Sequence, residues 1–117
     1  MQKLRKPVAA NRLENFSNAD YDSTLVTAQT AIDQEYGESH ARRMGKMKKY
    51  ADAYLGYLTH FDCAACDERT PTEGDVHRLG RAVVKGLGEK EGSLLLQRIR
   101  GMVDDTLSSR LGRGPGD

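Results

Sequence analysis

A chain of 117 residues with 18 basic and 17 acidic side chains is one domain's worth of sequence and leaves no room for a second core. Its net charge of +1 speaks against both a nucleic-acid coat and an acidic mimic. A hydrophobic content of 38%, with two Phe and no Trp, lies below the usual ~45–50% and predicts a thin core.

No run approaches the roughly 20 apolar residues of a membrane span. The basic start is not followed by an apolar stretch of about 7–15 residues, so no signal peptide is expected and a cytoplasmic location is. Two cysteines in one CxxC do not make a disulfide framework.

Residues 1–18 read as a flexible arm. They carry Lys3, Arg5, Lys6 and Arg12, with Pro7 and few apolar side chains. A first helix is predicted over about 23–36, capped by Ser23, with Asp20 and Asp22 near its positive end. Leu25, Ala28, Ile32 and Tyr36 line one face, and Gly37 ends it. A second helix is expected to follow Ser39. Met44, Met47, Ala51, Tyr54, Leu58 and Phe61 are spaced 3, 4, 3, 4, 3, which predicts a single apolar seam, widened by Tyr50 and Leu55. Its partner is another helix of this chain or of a second subunit.

Thr70-Pro71-Thr72-Glu73 reads as a capping box, with Thr70 at N-cap and Pro71 at the first helical position. Val76, Leu79, Val83, Val84 and Leu87 continue that helix, and Gly88 closes it. A fourth helix is predicted over about 90–111, built on Leu95, Ile99, Leu107 and Leu111. Gly92 and Gly101 each weaken it by up to about 1 kcal/mol relative to Ala. The tail, residues 112–117, is too rich in Gly and Pro to be helical and reads as disordered. No strand-like alternation appears. The expected fold is all-α: one helical domain over 19–111, a small bundle of three to four helices.

Chemistry concentrates at one place. His60, Cys63, Cys66 and His77 form H-x2-C-x2-C-x10-H across the connection between the second and third helices. Two thiolates and two imidazoles are a tetrahedral zinc set, and four protein ligands would make the site structural. The cysteines fit two other readings: small buried core residues, or a redox pair. The redox reading is the weakest, because the pair follows a helix C-terminus among Asp62, Asp67 and Glu68, which disfavours a thiolate.

Residues 57–66, Tyr-Leu-Thr-His-Phe-Asp-Cys-Ala-Ala-Cys, resemble the helix-end H-x3-C-x2-C of zinc-binding anti-sigma factors. The likeness covers ten residues, its His–Cys gap is one shorter, and His40 stands in for the upstream ligand. It implies a small helical protein that holds and blocks a sigma factor.

Arg42, Arg43, Lys46, Lys48 and Lys49 place five bases within eight residues. Arg42, Lys46 and Lys49 share one helical face opposite the seam. That stripe, Arg43 included, would suit an acidic protein surface or the phosphates of a nucleic acid. No phosphate-binding glycine loop, H-E-x-x-H or nucleophile elbow is present. The sequence therefore predicts a non-catalytic regulatory or adaptor protein that binds another macromolecule, with zinc as its one expected cofactor. A nucleic-acid-binding protein, and a small subunit of a phage or secretion assembly built as a homo-oligomer, are the alternatives. A bacterial or phage source suits all three.

Overall fold

The computed structural model describes residues 16–111, which form four α-helices and two one-turn 3-10 segments. The fold is the expected all-α bundle. The predicted tail and residues 1–15 of the predicted arm lie outside the described residues.

Helix α1 is Asn18–Tyr36, five residues longer at its start than the expected 23–36. Its cap is Ser17, not Ser23: the Ser17 hydroxyl accepts from the Asp20 N–H at 3.1 Å. Asp20 Oδ2 in turn accepts from the Ser17 N–H at 3.0 Å. The Ser17 N–H, then the Ser17 hydroxyl donating to the same oxygen at 3.0 Å, hold the Asp20 carboxyl below its usual range. Phe16, just before the cap, is buried, so the folded body begins inside the predicted arm. Phe16 meets Phe61 edge-on at 5.5 Å, and Phe61 stacks on Tyr21 at 5.4 Å.

Helix α2, Met44–Thr59, follows a 3-10 turn over Ala41–Arg43. It is not the one-sided seam that the spacing predicts. Met47 and Ala51 are fully buried, but Met44, Tyr54 and Leu58 are half-buried. Tyr50 and Leu55, which widen the seam, are buried as expected, but so are Ala53, Gly56 and Thr59 outside it. α2, like α4, touches all three other helices, and with half of its sixteen residues buried it is the central helix of the bundle, its covered faces meeting helices of this chain. Phe61, the last seam residue, lies beyond the helix. His60 ends α2 in the left-handed conformation (φ 60°), with its N–H bonded to Gly56 O.

Helix α3, Glu73–Val84, starts two residues later than the Thr70 box predicts. Thr72 is the N-cap and Asp75 its reciprocal partner. Pro71 lies before the cap, against Gly56, whose added Cβ would sit 3.0 Å from the proline ring. α3 stops at Val84, short of Leu87. Gly86 and Gly88, at φ 91° and 95°, turn the chain into α4, Glu89–Leu111. α3 and α4 run antiparallel, with Gly92 opposite Val84 and Leu96 opposite Gly80.

Candidate functional site

The CxxC connection is a closed turn. The Cys63 N–H bonds Arg69 O at 3.1 Å, and the Glu68 N–H bonds Cys63 O at 3.0 Å. Asp67 and Glu68 both carry positive φ, 56° and 61°, which reverses the chain between the paired Cys63 and Arg69. Two carboxylates fasten this turn. Asp52, buried on α2, accepts from the Tyr21 hydroxyl at 2.7 Å and from the Ala65 N–H at 3.2 Å. Asp75 takes both arms of the Arg69 guanidinium, at 2.6 and 2.8 Å, and lies 3.6 Å from Arg78. The Arg69 fork, then the Thr72 N–H, hold the Asp75 carboxyl well below the usual carboxylate range.

Cys63 and Cys66 are buried inside this turn as free thiols. Burial, then the charge of Asp52, pushes the Cys63 thiol up, and burial does the same for Cys66. Neither is a ready nucleophile. His60 and His77 are exposed, His60 as the α2 cap and His77 beside the groove between α3 and α4. Among the described residues no group of three or more His, Cys, Asp or Glu is disposed to hold a metal. His40 lies before the start of α2, its ring 5.4 Å from Tyr36. The sixteen residues of α2 separate it from the cysteines by about 24 Å, so it does not supply the upstream ligand that the anti-sigma likeness implies.

The basic stripe divides. Arg43 is a structural staple: its guanidinium bonds Lys85 O at 3.0 Å, which ties the start of α2 to the end of α3. Lys48 pairs with Asp33 at 2.9 Å. Arg42, Lys46 and Lys49 are exposed and have no ion pair among the described residues. Lys85, exposed at the corner that Arg43 staples, joins them. Ala53, the next residue along this face, is buried, so the basic face ends after the first two turns of α2.

Sequence reasoning missed the groove between α3 and α4. It has a volume of about 300 Å³, with buried Tyr50 and Gly80 beneath it and Arg81, Glu89 and Arg100 at its sides. No spacing signals it, because Tyr50 and Arg100 meet only through the packing of α2 on α4.

The class these features define, over the described residues, is a small four-helix protein with a buried cysteine turn, a basic corner and a groove between α3 and α4. No protein-family model, curated protein or solved structure matches the chain. Among the described residues, no helix is long and apolar enough to cross a membrane.

Proposed function

We propose that this is a non-catalytic binding protein that presents the basic corner of Arg42, Lys46, Lys49 and Lys85 to an acidic surface of another protein. One observation carries the reading. Most other cations of the bundle are matched to carboxylates: Lys48 to Asp33, Arg69 and Arg78 to Asp75, Arg81 to Glu89, Arg98 to Glu35, Arg110 to Asp20. Among the described residues the four corner cations have no such partner. Complementary charge of this kind sets partner choice and on-rate. The nucleic-acid alternative draws on the same four cations, but their face ends after the first two turns of α2, which is short for a single-strand track.

The test is Arg42→Glu combined with Lys46→Glu. Exposed charges contribute little to folding, so the melting temperature stays nearly unchanged. A partner recovered from the native host by the wild-type chain and lost by the variant is the expected result. Binding of random DNA with a log–log salt slope of about −3, from three or four phosphate contacts, would transfer the function to nucleic acid. Equal partner recovery by both forms would remove the corner from the interface.

The juxtaposed thiols support a structural zinc as a subsidiary proposal, with Cys63 and Cys66 as the firm ligands and His60 and His77 turning inward to complete the set. About one zinc per chain, lost in Cys63→Ser, is then required. Metal-free protein whose melting curve ignores chelator would leave the cysteines as core packing.

A further inference from the structure

We infer that the groove between α3 and α4 is a receptor for an apolar monocarboxylate, its carboxylate held by Arg100 and its aliphatic or aromatic group lying over Val76, Gly80 and Leu96. This does not rest on the basic-corner reading, because none of the corner residues lines the groove.

Arg100 is the decisive residue. It is half-buried, and one arm of its guanidinium donates to the Tyr50 hydroxyl at 2.9 Å. Tyr50 is 2% exposed and cannot move freely. Five other arginines, Arg69, Arg78, Arg81, Arg98 and Arg110, each lie within ion-pair distance of a carboxylate. Arg100 has no such partner among the described residues. Asp104, one turn further along α4, is engaged by the Tyr54 hydroxyl at 2.9 Å. A neutral hydroxyl thus orients the guanidinium, and among the described residues no carboxylate lies within ion-pair distance of it. Such a fork is matched to the two oxygens of a carboxylate, and its ordering cost is met before the ligand arrives.

The rest of the groove selects the remainder of the ligand. Val76, Gly80, Val84 and Leu96 supply apolar surface, so the body of the ligand is apolar. At about 300 Å³ the groove is at the small end of ligand sites, which suits a molecule of about a dozen non-hydrogen atoms. Arg81 is no competing receptor, since Glu89 occupies it at 3.0 and 3.1 Å. Glu73 and Glu89 line the groove and repel a dianion about twice as strongly as a monoanion, so a singly charged carboxylate is preferred over phosphate. A free branched or aromatic acid and the C-terminal residue of a peptide present the same chemistry.

The test is an amide-resolved NMR titration of the full chain with four probes: N-acetyl-leucine, N-acetyl-leucinamide, 4-methylpentanoate and inorganic phosphate. N-acetyl-leucine is expected to shift the amides of Val76, Gly80 and Leu96 with a Kd of about 1 mM or tighter, given its size. The amide should bind at least about tenfold more weakly, the loss of one charged contact. Binding of 4-methylpentanoate as well assigns the site to free acids; binding of N-acetyl-leucine alone assigns it to a peptide end. Arg100→Gln should abolish the preference for acid over amide, and Arg98→Gln, two residues away and paired with Glu35, should keep it. Silent groove amides, an amide that binds as well as the acid, tighter binding of phosphate, or an Arg100→Gln variant with the preference intact would each overturn the proposal. The comparison of acid with amide uses the wild-type chain, so it stands even where a variant fails to fold.

Discussion

Gly92 and Gly101 lie on the same helix, and the same substitution should act on them with opposite sign. An added Cβ at Gly92 would sit 2.4 Å from Val84 Cβ, 2.6 Å from its Cγ1 and 3.3 Å from its Cα. Carbon atoms in contact prefer about 3.5–4.0 Å. The overlap exceeds an ångström, and two of the atoms met are fixed to the α3 backbone. No rotamer change relieves it, so α3 and α4 must move apart. Forcing one methyl into a packed site costs about 1–3 kcal/mol. The gain in helix propensity offsets up to about 1 kcal/mol of that. An overlap above an ångström places the cost at the upper end of that range, so Gly92→Ala should lose about 2 kcal/mol. At Gly101 the added methyl meets nothing within 4 Å, so only the propensity gain remains. Gly101→Ala should gain about 0.5–1 kcal/mol. For a domain of this size each kcal/mol moves the melting temperature by about 4–8 °C. Thermal and urea melts followed by circular dichroism resolve both shifts. A Gly92→Ala variant as stable as the wild type would refute the close contact of α3 with α4, and with it the geometry of the groove.

Leu55→Ala should cost about 2–5 kcal/mol, because Leu55 is fully buried, whereas half-buried Leu58 should cost only about 1–2; the reverse order in urea midpoints would restore the seam that the spacing predicts. Tyr21→Phe removes the hydroxyl that donates to the buried Asp52 carboxylate and should lose about 1.5–3 kcal/mol, read as a fall in the denaturation midpoint at unchanged m-value. Burial, then the bond to Asp104, pushes the Tyr54 phenol up to about 12 from its ordinary 10.0. The neutral phenol is thus favoured in the folded state, so its contribution is complete below pH 10 and is lost as pH rises toward 12. Burial and Glu35 raise Tyr36 as well, so tyrosinate absorbance should show a late phase to which Tyr54 contributes, and Tyr54→Phe should shrink that phase and flatten the alkaline loss of stability.

How the bundle was legible in the sequence is clearest at its helix ends. Ser17-Asn18-Ala19-Asp20 and Thr72-Glu73-Gly74-Asp75 are both capping boxes, with Asp in place of the usual Glu or Gln at the reciprocal position. Each competes with a nearby alternative, Ser23 or Thr70, that local chemistry favours as much. Tertiary contacts decide between them. Asp75 gains the Arg69 fork and Pro71 covers Gly56, while Phe16 packs on Phe61 only if α1 begins at Asn18. The central position of α2 was illegible for a related reason. Its 3–4 spacing registers the large side chains, whereas its other faces are buried through Ala53, Gly56 and Thr59, small residues that let neighbouring helices approach closely.

The same arrangement locates both proposed surfaces. A helix surrounded by three others can expose charge only where a neighbour falls short. α3 ends at Val84, and there Arg42, Lys46 and Lys49 reach solvent while Arg43 secures the corner through Lys85 O. The groove arises from the opposite circumstance. Gly92 draws α4 tightly onto Val84, and toward the start of α3 the two helices flank Tyr50, which reaches up from α2 to orient Arg100. Both features depend on where α3 stops and how closely α4 returns. A change in the Gly86–Gly88 turn would therefore disturb them together, whereas a change in the cysteine turn, fastened through Asp75 at the start of α3, would reach the groove lined by Val76 and His77 and leave the basic corner in place.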